Sequence, residues 1–232
     1  MISISGDVFI KQKKLFSLSN FHIIPRCWNC MLGSSGIGKS TLLRLIAGVE
    51  THASFIGEMK FNNHPKNIAF MAQDDLLLPW ATVFENISLG SRLRNEKINK
   101  QKVEELIYRV GLIGHDNKKP HMLSGGERQR VALARTLMEN KNIILLDEPF
   151  SALDVKTRSE MQELAFELLS DHTILLVTHD PAEAARLGKH ICIIKESGFE
   201  EIKLPDFNLP RNIDDKIMLK IQGQLLKRLR EL

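Results

Sequence analysis

Gly33-Ser34-Ser35-Gly36-Ile37-Gly38-Lys39-Ser40-Thr41 constrains this chain more than any other stretch. It fits the Walker A pattern G-x-x-x-x-G-K-[ST]. An apolar segment precedes it and Leu42-Leu43-Arg44-Leu45-Ile46-Ala47 follows, which predicts a strand, a tight loop and a helix. Glycines let such a loop curl until several backbone N–H groups converge on one point. The N-terminal end of the following helix favours an anion there as well. Lys39 adds a positive charge near the outer phosphates, and the Ser40 hydroxyl is a candidate Mg²⁺ ligand. The stretch therefore predicts a chain that binds a nucleoside triphosphate.

At 232 residues the chain can bury a sizeable core as one α/β domain with a lobe inserted. A net charge of +4 is mildly basic and does not choose between nucleic acid, anionic nucleotides and a membrane surface. No apolar run is long enough to span a bilayer, and Met1 to Asp7 lacks the regions of a signal peptide. The expectation is an intracellular protein that other chains must hold at any membrane it serves. Cys27-Trp28-Asn29-Cys30 has C-x-x-C spacing, but it lies in the strand entering the phosphate loop and has only Cys192 as a further cysteine. Structural cysteines are expected.

Along the chain, Val8-Phe9-Ile10 and the loosely alternating Leu15 to Ile24 predict strands around a polar hairpin tip, Lys11 to Lys14. Phe9 is a candidate for the adenine ring and equally for the core. Gly48 to Thr51 forms a turn, with short strand-like pieces such as Gly57 to Phe61 after it. Ile68-Ala69-Phe70-Met71 is a compact strand running into Gln73. Leu76-Leu77-Leu78-Pro79-Trp80 then exposes apolar residues, and Thr82-Val83-Phe84-Glu85 is a helix start with a capping box. Helical periodicity runs from Ile87 to Leu93 and from Val103 to Val110, with a loop from Gly111 to Lys119.

Ser124, Gly125 and Gly126 then open a helix and create a second anion-binding terminus. One nucleotide does not need two such helix ends, which points to a shared site. Ile143 to Leu146 is a buried strand ending in Asp147-Glu148, where Asp147 would sit near Mg²⁺ and Glu148 could polarise an attacking water. Ser151 to Asp154 is a tight loop before an amphipathic helix through Leu169. Thr173 to Val177 is a further strand delivering His179 to its C-terminal edge, where ligands bind in open α/β sheets. Ile191 to Ile194 is a strand and Leu204 to Pro210 a loop. Lys216 to Leu232 predicts a helix with Met218, Ile221, Leu225, Leu229 and Leu232 on one face, either packed on the domain or lying on a membrane surface.

Taken together, these residues resemble the ATP-binding cassette (ABC) family from about Phe9 to His179. Leu123-Ser124-Gly125-Gly126-Glu127-Arg128-Gln129-Arg130 is similar to the family signature, which other phosphate-loop ATPases lack. Gln73 matches the Q-loop glutamine, Asp147-Glu148 the Walker B pair, Ser151 to Asp154 the D-loop, His179 the switch histidine and Phe9 the adenine-stacking aromatic.

The resemblance implies an α/β nucleotide-binding domain over residues 1–232. It would have a RecA-like parallel-sheet core and an antiparallel β subdomain (1–73 and 140–200), an inserted helical signature subdomain (74–139) and a short helical tail (211–232). It implies ATP and Mg²⁺, with Gly33 to Thr41 cradling the phosphates and Ser40, Gln73 and Asp147 at the metal. Glu148 would be the base, with Lys39, His179 and Gln73 beside it. A second cassette, expected to be an identical chain, would bring its own Ser124, Gly125 and Gly126 to the γ-phosphate. Integral-membrane permease subunits, and a solute-binding protein indirectly, complete the expected partners, at the cytoplasmic face of the plasma membrane and without nucleic acid.

Gln73 to Trp80 resembles importers for nitrate, sulfonates and taurine, and Met71 to Trp80, with Asn86 to Arg94, is most similar to cassettes for hydroxymethylpyrimidine, the thiamine precursor. An exporter cassette, or a soluble ABC ATPase acting on DNA or ribosomes, is the alternative. The single Walker A, the single signature and the lack of a long heptad insertion argue against the soluble forms.

Overall fold

The computed structural model describes residues 2–49, 51–61, 67–204 and 208–231. Glu50 of the expected turn, Pro205 of the expected loop and Leu232 of the expected helix face lie outside the described residues. Short, nearly continuous apolar runs form parallel strands: β3 (Trp28–Leu32), β5 (Ile68–Met71), β6 (Ile143–Asp147), β7 (Thr173–Thr178) and β8 (His190–Lys195). Every residue of β3, β6 and β7 is buried, as strands covered on both faces require. The order is β5-β6-β7-β3-β8-β9, with β9 (Gly198–Ile202) antiparallel to β8.

Alternate residues of this sheet feed two cores. Trp28, Cys30 and Leu32 face one, while Met31 faces the other. The three cysteines are free; Cys30 and Cys192 fill opposite cores, and burial pushes both thiols up.

On one face lie α1 (Lys39–Ala47) and a small antiparallel sheet of β1 (Ile2–Ile10), β2 (Lys13–Ile23) and β4 (Ala53–Phe61), in the order β2-β1-β4. Leu42, Leu43 and Ile46 of α1 pack with Ile4, Val8 and Phe16. Between β5 and β6 the regular elements are helical: α2 (Val83–Ile87), α3 (Leu89–Leu93), α4 (Lys100–Arg109) and α5 (Gly125–Met138). The apolar faces of α2, α4 and α5 join the other core, together with α6 (Val155–Leu168), α7 (Pro181–Leu187) and α8 (Lys216–Arg230).

Two elements go beyond the sequence reading. Antiparallel β9 closes the edge beside β8, and α7 follows His179 directly. Of the two readings of the last helix, docking is what the fold displays: Met218, Ile221 and Leu225 are buried in the core that α7 also joins.

Candidate functional site

The phosphate loop joins the C-terminal end of β3 to α1. Gly38 is the N-cap of α1 at φ 105, a left-handed conformation that favours glycine, and a Cβ there would lie 2.6 Å from Leu15 Cδ1. The loop can therefore curl only with glycine at 38. At Gly36 the space where a Cβ would point is open, which leaves the cradle accessible. Lys39 is buried, with Nζ donating to the carbonyls of Gly33 (2.8 Å) and Ser34 (2.9 Å), and burial holds its ammonium below the ordinary range.

A cavity of about 350 Å³ opens over the loop, lined by Ser35, Gly36, Gly38, Lys39, Ser40 and Thr41 together with Ile10, Gln73 and Glu148. Gly33, Ser34 and Ile37 belong to the same loop without lining that cavity. Phe9 does not line it either. Strand parity explains the difference. Ile2, Ile4 and Val8 point into the core shared with α1, and Ile10, two residues on from Val8, shares that face. Phe9 alternates away, so the side chain offered at the cavity wall is Ile10, 37% exposed.

Ser40 Oγ donates to Asp147 Oδ1 at 2.7 Å, across 107 residues of sequence. Asp147 is 2% exposed, and burial, reinforced by the charge of Glu148, pushes its carboxyl up. A buried carboxylate beside a hydroxyl, both hard oxygen donors at the mouth of a phosphate cradle, suits Mg²⁺. Glu148 takes a left-handed backbone conformation at φ 46, and its N–H donates to the Val177 carbonyl at 2.9 Å. Its Oε2 lies 2.9 Å from His179 Nδ1. Gln73 stands opposite, its Nε2 3.4 Å from Ser151 Oγ, and Ser151 Oγ donates back to the Glu148 carbonyl at 2.9 Å. The fold therefore gathers Lys39, Ser40, Gln73, Asp147, Glu148 and His179 around one opening.

Ser124, Gly125 and Gly126 do not line it. Ser124 caps α5 reciprocally, accepting from the Glu127 N–H at 3.2 Å while its own N–H donates to Glu127 Oε2 at 2.7 Å. Ser124 and Gly125 are exposed, so this helix end faces out of the molecule. Gly126 packs close to α6, where a Cβ would lie 2.5 Å from Thr157 Cγ2.

The segment after Gln73 carries polar residues that sequence reasoning missed. Arg128 Nε donates to Asp75 Oδ2 (2.9 Å), and Arg135 donates to the Asp75 and Leu76 carbonyls (2.6 and 2.8 Å). Gln129 Nε2 donates to the Gln73 carbonyl at 3.3 Å. The glutamine loop is thus tied to the helix whose tip is Ser124. Buried Asn86 accepts from the Leu78 N–H (2.8 Å) and donates to the Ala81 and Thr82 carbonyls (3.1 and 3.0 Å). It shapes the turn so that Leu77 is buried while Trp80 stands 69% exposed. Arg128 stands in the signature-like run but without any sign of its partner Asp75, and Arg135 was signalled only as a polar helix position. Asn86, one residue before the apolar Ile87, carried a weak signal of its own.

A family model described as ABC transporter matches residues 18–151. A Haemophilus influenzae protein named an uncharacterized ABC transporter ATP-binding protein is 44% identical over 223 residues, covering 93% of this chain and 92% of that protein. The aliphatic sulfonates import ATP-binding protein SsuB 1 of Rhodococcus jostii is 41% identical, over 84% of this chain and 79% of its own length. The SsuB protein of Bacillus subtilis is 38% identical, over 91% and 86%. A solved chain from a metal-chelate type ABC transporter in an inward-facing conformation superposes with a TM-score of 0.74 at 24% identity, over 96% of this chain and 88% of that one.

Proposed function

Because the chain belongs to the ABC transporter family, we propose that it is the ATP-binding and ATP-hydrolysing subunit of a membrane importer, energising uptake of a small solute through a separate permease. One observation carries the reading. The phosphate loop, Gln73, Glu148 and His179 meet at one opening, while the helix end at Ser124 and Gly125 stands exposed away from it. Two copies paired head to tail would bring each exposed helix end to the other's phosphates.

In that pair, Lys39 and the loop N–H groups hold the phosphates, and Ser40 and Asp147 are placed to hold Mg²⁺, with Gln73 opposite. The ion would supply charge neutralisation at the phosphate oxygens. Glu148 takes the proton from the attacking water, and His179 steadies the carboxylate and the γ-phosphate. ATP binding favours the closed pair by its differential affinity for it, and hydrolysis removes that preference. Among the described residues no helix is long and apolar enough to cross a membrane. Attachment at the cytoplasmic face would then run through the permease, against the exposed Leu76 and Trp80.

The sulfonate-importer relatives support a solute of the nitrate, sulfonate and taurine class. The run Met71 to Trp80 favours hydroxymethylpyrimidine as a second reading. The test is ATP turnover of the complex purified with its co-expressed membrane neighbour, with a panel of sulfonates, nitrate and pyrimidines delivered by the binding protein. Stimulation by one class is expected. In the same preparation Trp80→Glu should abolish stimulation, and the isolated variant subunit should keep its basal turnover; unchanged stimulation would remove Trp80 from the permease contact.

At the cavity wall β1 offers the aliphatic Ile10. Ile10→Tyr should lower the KM for ATP roughly tenfold, from the ~1–3 kcal/mol of base stacking on a ring, with kcat unchanged. A raised KM in Phe9→Leu, with no response at Ile10, would return the base contact to Phe9.

A further inference from the structure

We propose that Glu183 is a positioning residue for the switch histidine, holding the peptide on the C-terminal side of His179 through the Thr178 hydroxyl; this rests on the ATPase reading given above. Glu183 is the third residue of α7, yet its side chain turns inward and is 3% exposed. Its Oε2 accepts the Thr178 Oγ1 proton at 2.6 Å. The same Oγ1 accepts the Asp180 N–H at 3.0 Å. That amide belongs to the peptide bond joining His179 to Asp180, so a relay of two hydrogen bonds runs from the carboxylate to the backbone of the histidine.

Asp180 is fixed on its other side, with Oδ1 accepting the Ala182 N–H (2.8 Å) and Oδ2 lying 3.4 Å from Arg158 Nη1 of α6. His179 needs such support. Its side chain is half exposed, and among the described residues its side-chain hydrogen bond is the one to Glu148. A shift of about 1 Å at a catalytic group can cost on the order of a hundredfold in rate.

Glu183 is not placed as an ordinary first-turn acid. An acidic residue in the first turn of a helix gains from the helix dipole while exposed and need not be buried. Burial of a carboxylate disfavours folding unless it is paired, and no ion pair to Glu183 exists among the described residues. Burial pushes this carboxyl up to about 7. Stability alone would favour an apolar residue here, whereas the relay needs an acceptor.

The experiment is steady-state ATP hydrolysis by the full chain, assembled with its permease, for Glu183→Gln, Glu183→Ala, Thr178→Val and the Ala/Val double variant. Melting curves are recorded for each. Glu183→Gln keeps an acceptor and should stay within about threefold of the parent. Glu183→Ala and Thr178→Val should each lower kcat roughly 10- to 100-fold with the KM for ATP held within about twofold. The double variant should be no slower than the slower single one, because both break one relay. Unchanged kcat in Glu183→Ala, equal losses in the Gln and Ala variants, or additive losses in the double variant would each overturn the proposal. Should Glu183→Ala fail to fold, Thr178→Val carries the test, since it removes only the hydroxyl. A parent protein without turnover that Lys39→Ala abolishes would overturn the ATPase reading itself, a result distinct from any of these.

Discussion

Glu148→Gln is expected to lower ATP turnover by roughly 10²- to 10⁴-fold, the range contributed by a positioned general base, while leaving ATP binding and the fold intact. The substitution preserves shape and can keep a hydrogen bond to His179, whose Nδ1 lies 2.9 Å from Glu148 Oε2. An amide, however, cannot take a proton from water. Binding should therefore proceed and hydrolysis stop, so the closed pair accumulates. Light scattering in saturating ATP and Mg²⁺ should show a dimer that persists for many turnover times of the parent. A monomer under those conditions, or turnover within a few-fold of the parent, would remove Glu148 from the role of base.

Lys39→Ala should weaken ATP binding roughly 30- to 5,000-fold. Truncating one partner of a buried, hydrogen-bonded charge pair costs about 2–5 kcal/mol, and Lys39 is the buried cation in the wall of the phosphate cavity. The change also leaves the Gly33 and Ser34 carbonyls without its ammonium, at about 1 kcal/mol each in stability. The loss of affinity should thus exceed the loss of stability. Calorimetric titration with ATP and thermal melting of the same sample measure both. Unchanged affinity would exclude the phosphate loop as the binding element.

Elements written in local residues were legible in the sequence. The helix from Thr82 is specified by its own capping box, and β6 and β7 by apolar runs that need no knowledge of their neighbours. What depends on distant pairing was not legible. The order β5-β6-β7-β3-β8-β9 is a property of the whole sheet, and β9 becomes a strand because β8 pairs with it; Phe199-Glu200-Glu201 has no clear alternation of its own. Helix α7 did leave a signal, since Asp180 and Pro181 stand at cap and first turn, but its seven residues are too few to show a period. In the candidate site, residue types drew attention to the phosphate loop and both carboxylates, and the fold brings them to one opening. The aromatic in Val8-Phe9-Ile10 drew attention to Phe9, whereas the β1 residue that lines the cavity over the phosphate loop is Ile10, on the face of Ile2, Ile4 and Val8. Arg128 and Arg135 were unreadable because their acceptors, on Asp75 and Leu76, lie more than fifty residues away.

The φ of 46 at Glu148 has an evolutionary side. For a residue with a Cβ this region costs on the order of 1–2 kcal/mol, and glycine or asparagine would occupy it with less strain. Natural drift under selection for folding alone would thus tend to replace this acid early, while retaining the apolar strand that carries it. A descendant that kept its nucleotide cradle but no longer needed turnover would be recognisable by that one exchange. Under the function proposed above, retention of this glutamate is what would distinguish an active motor from a bound-nucleotide scaffold.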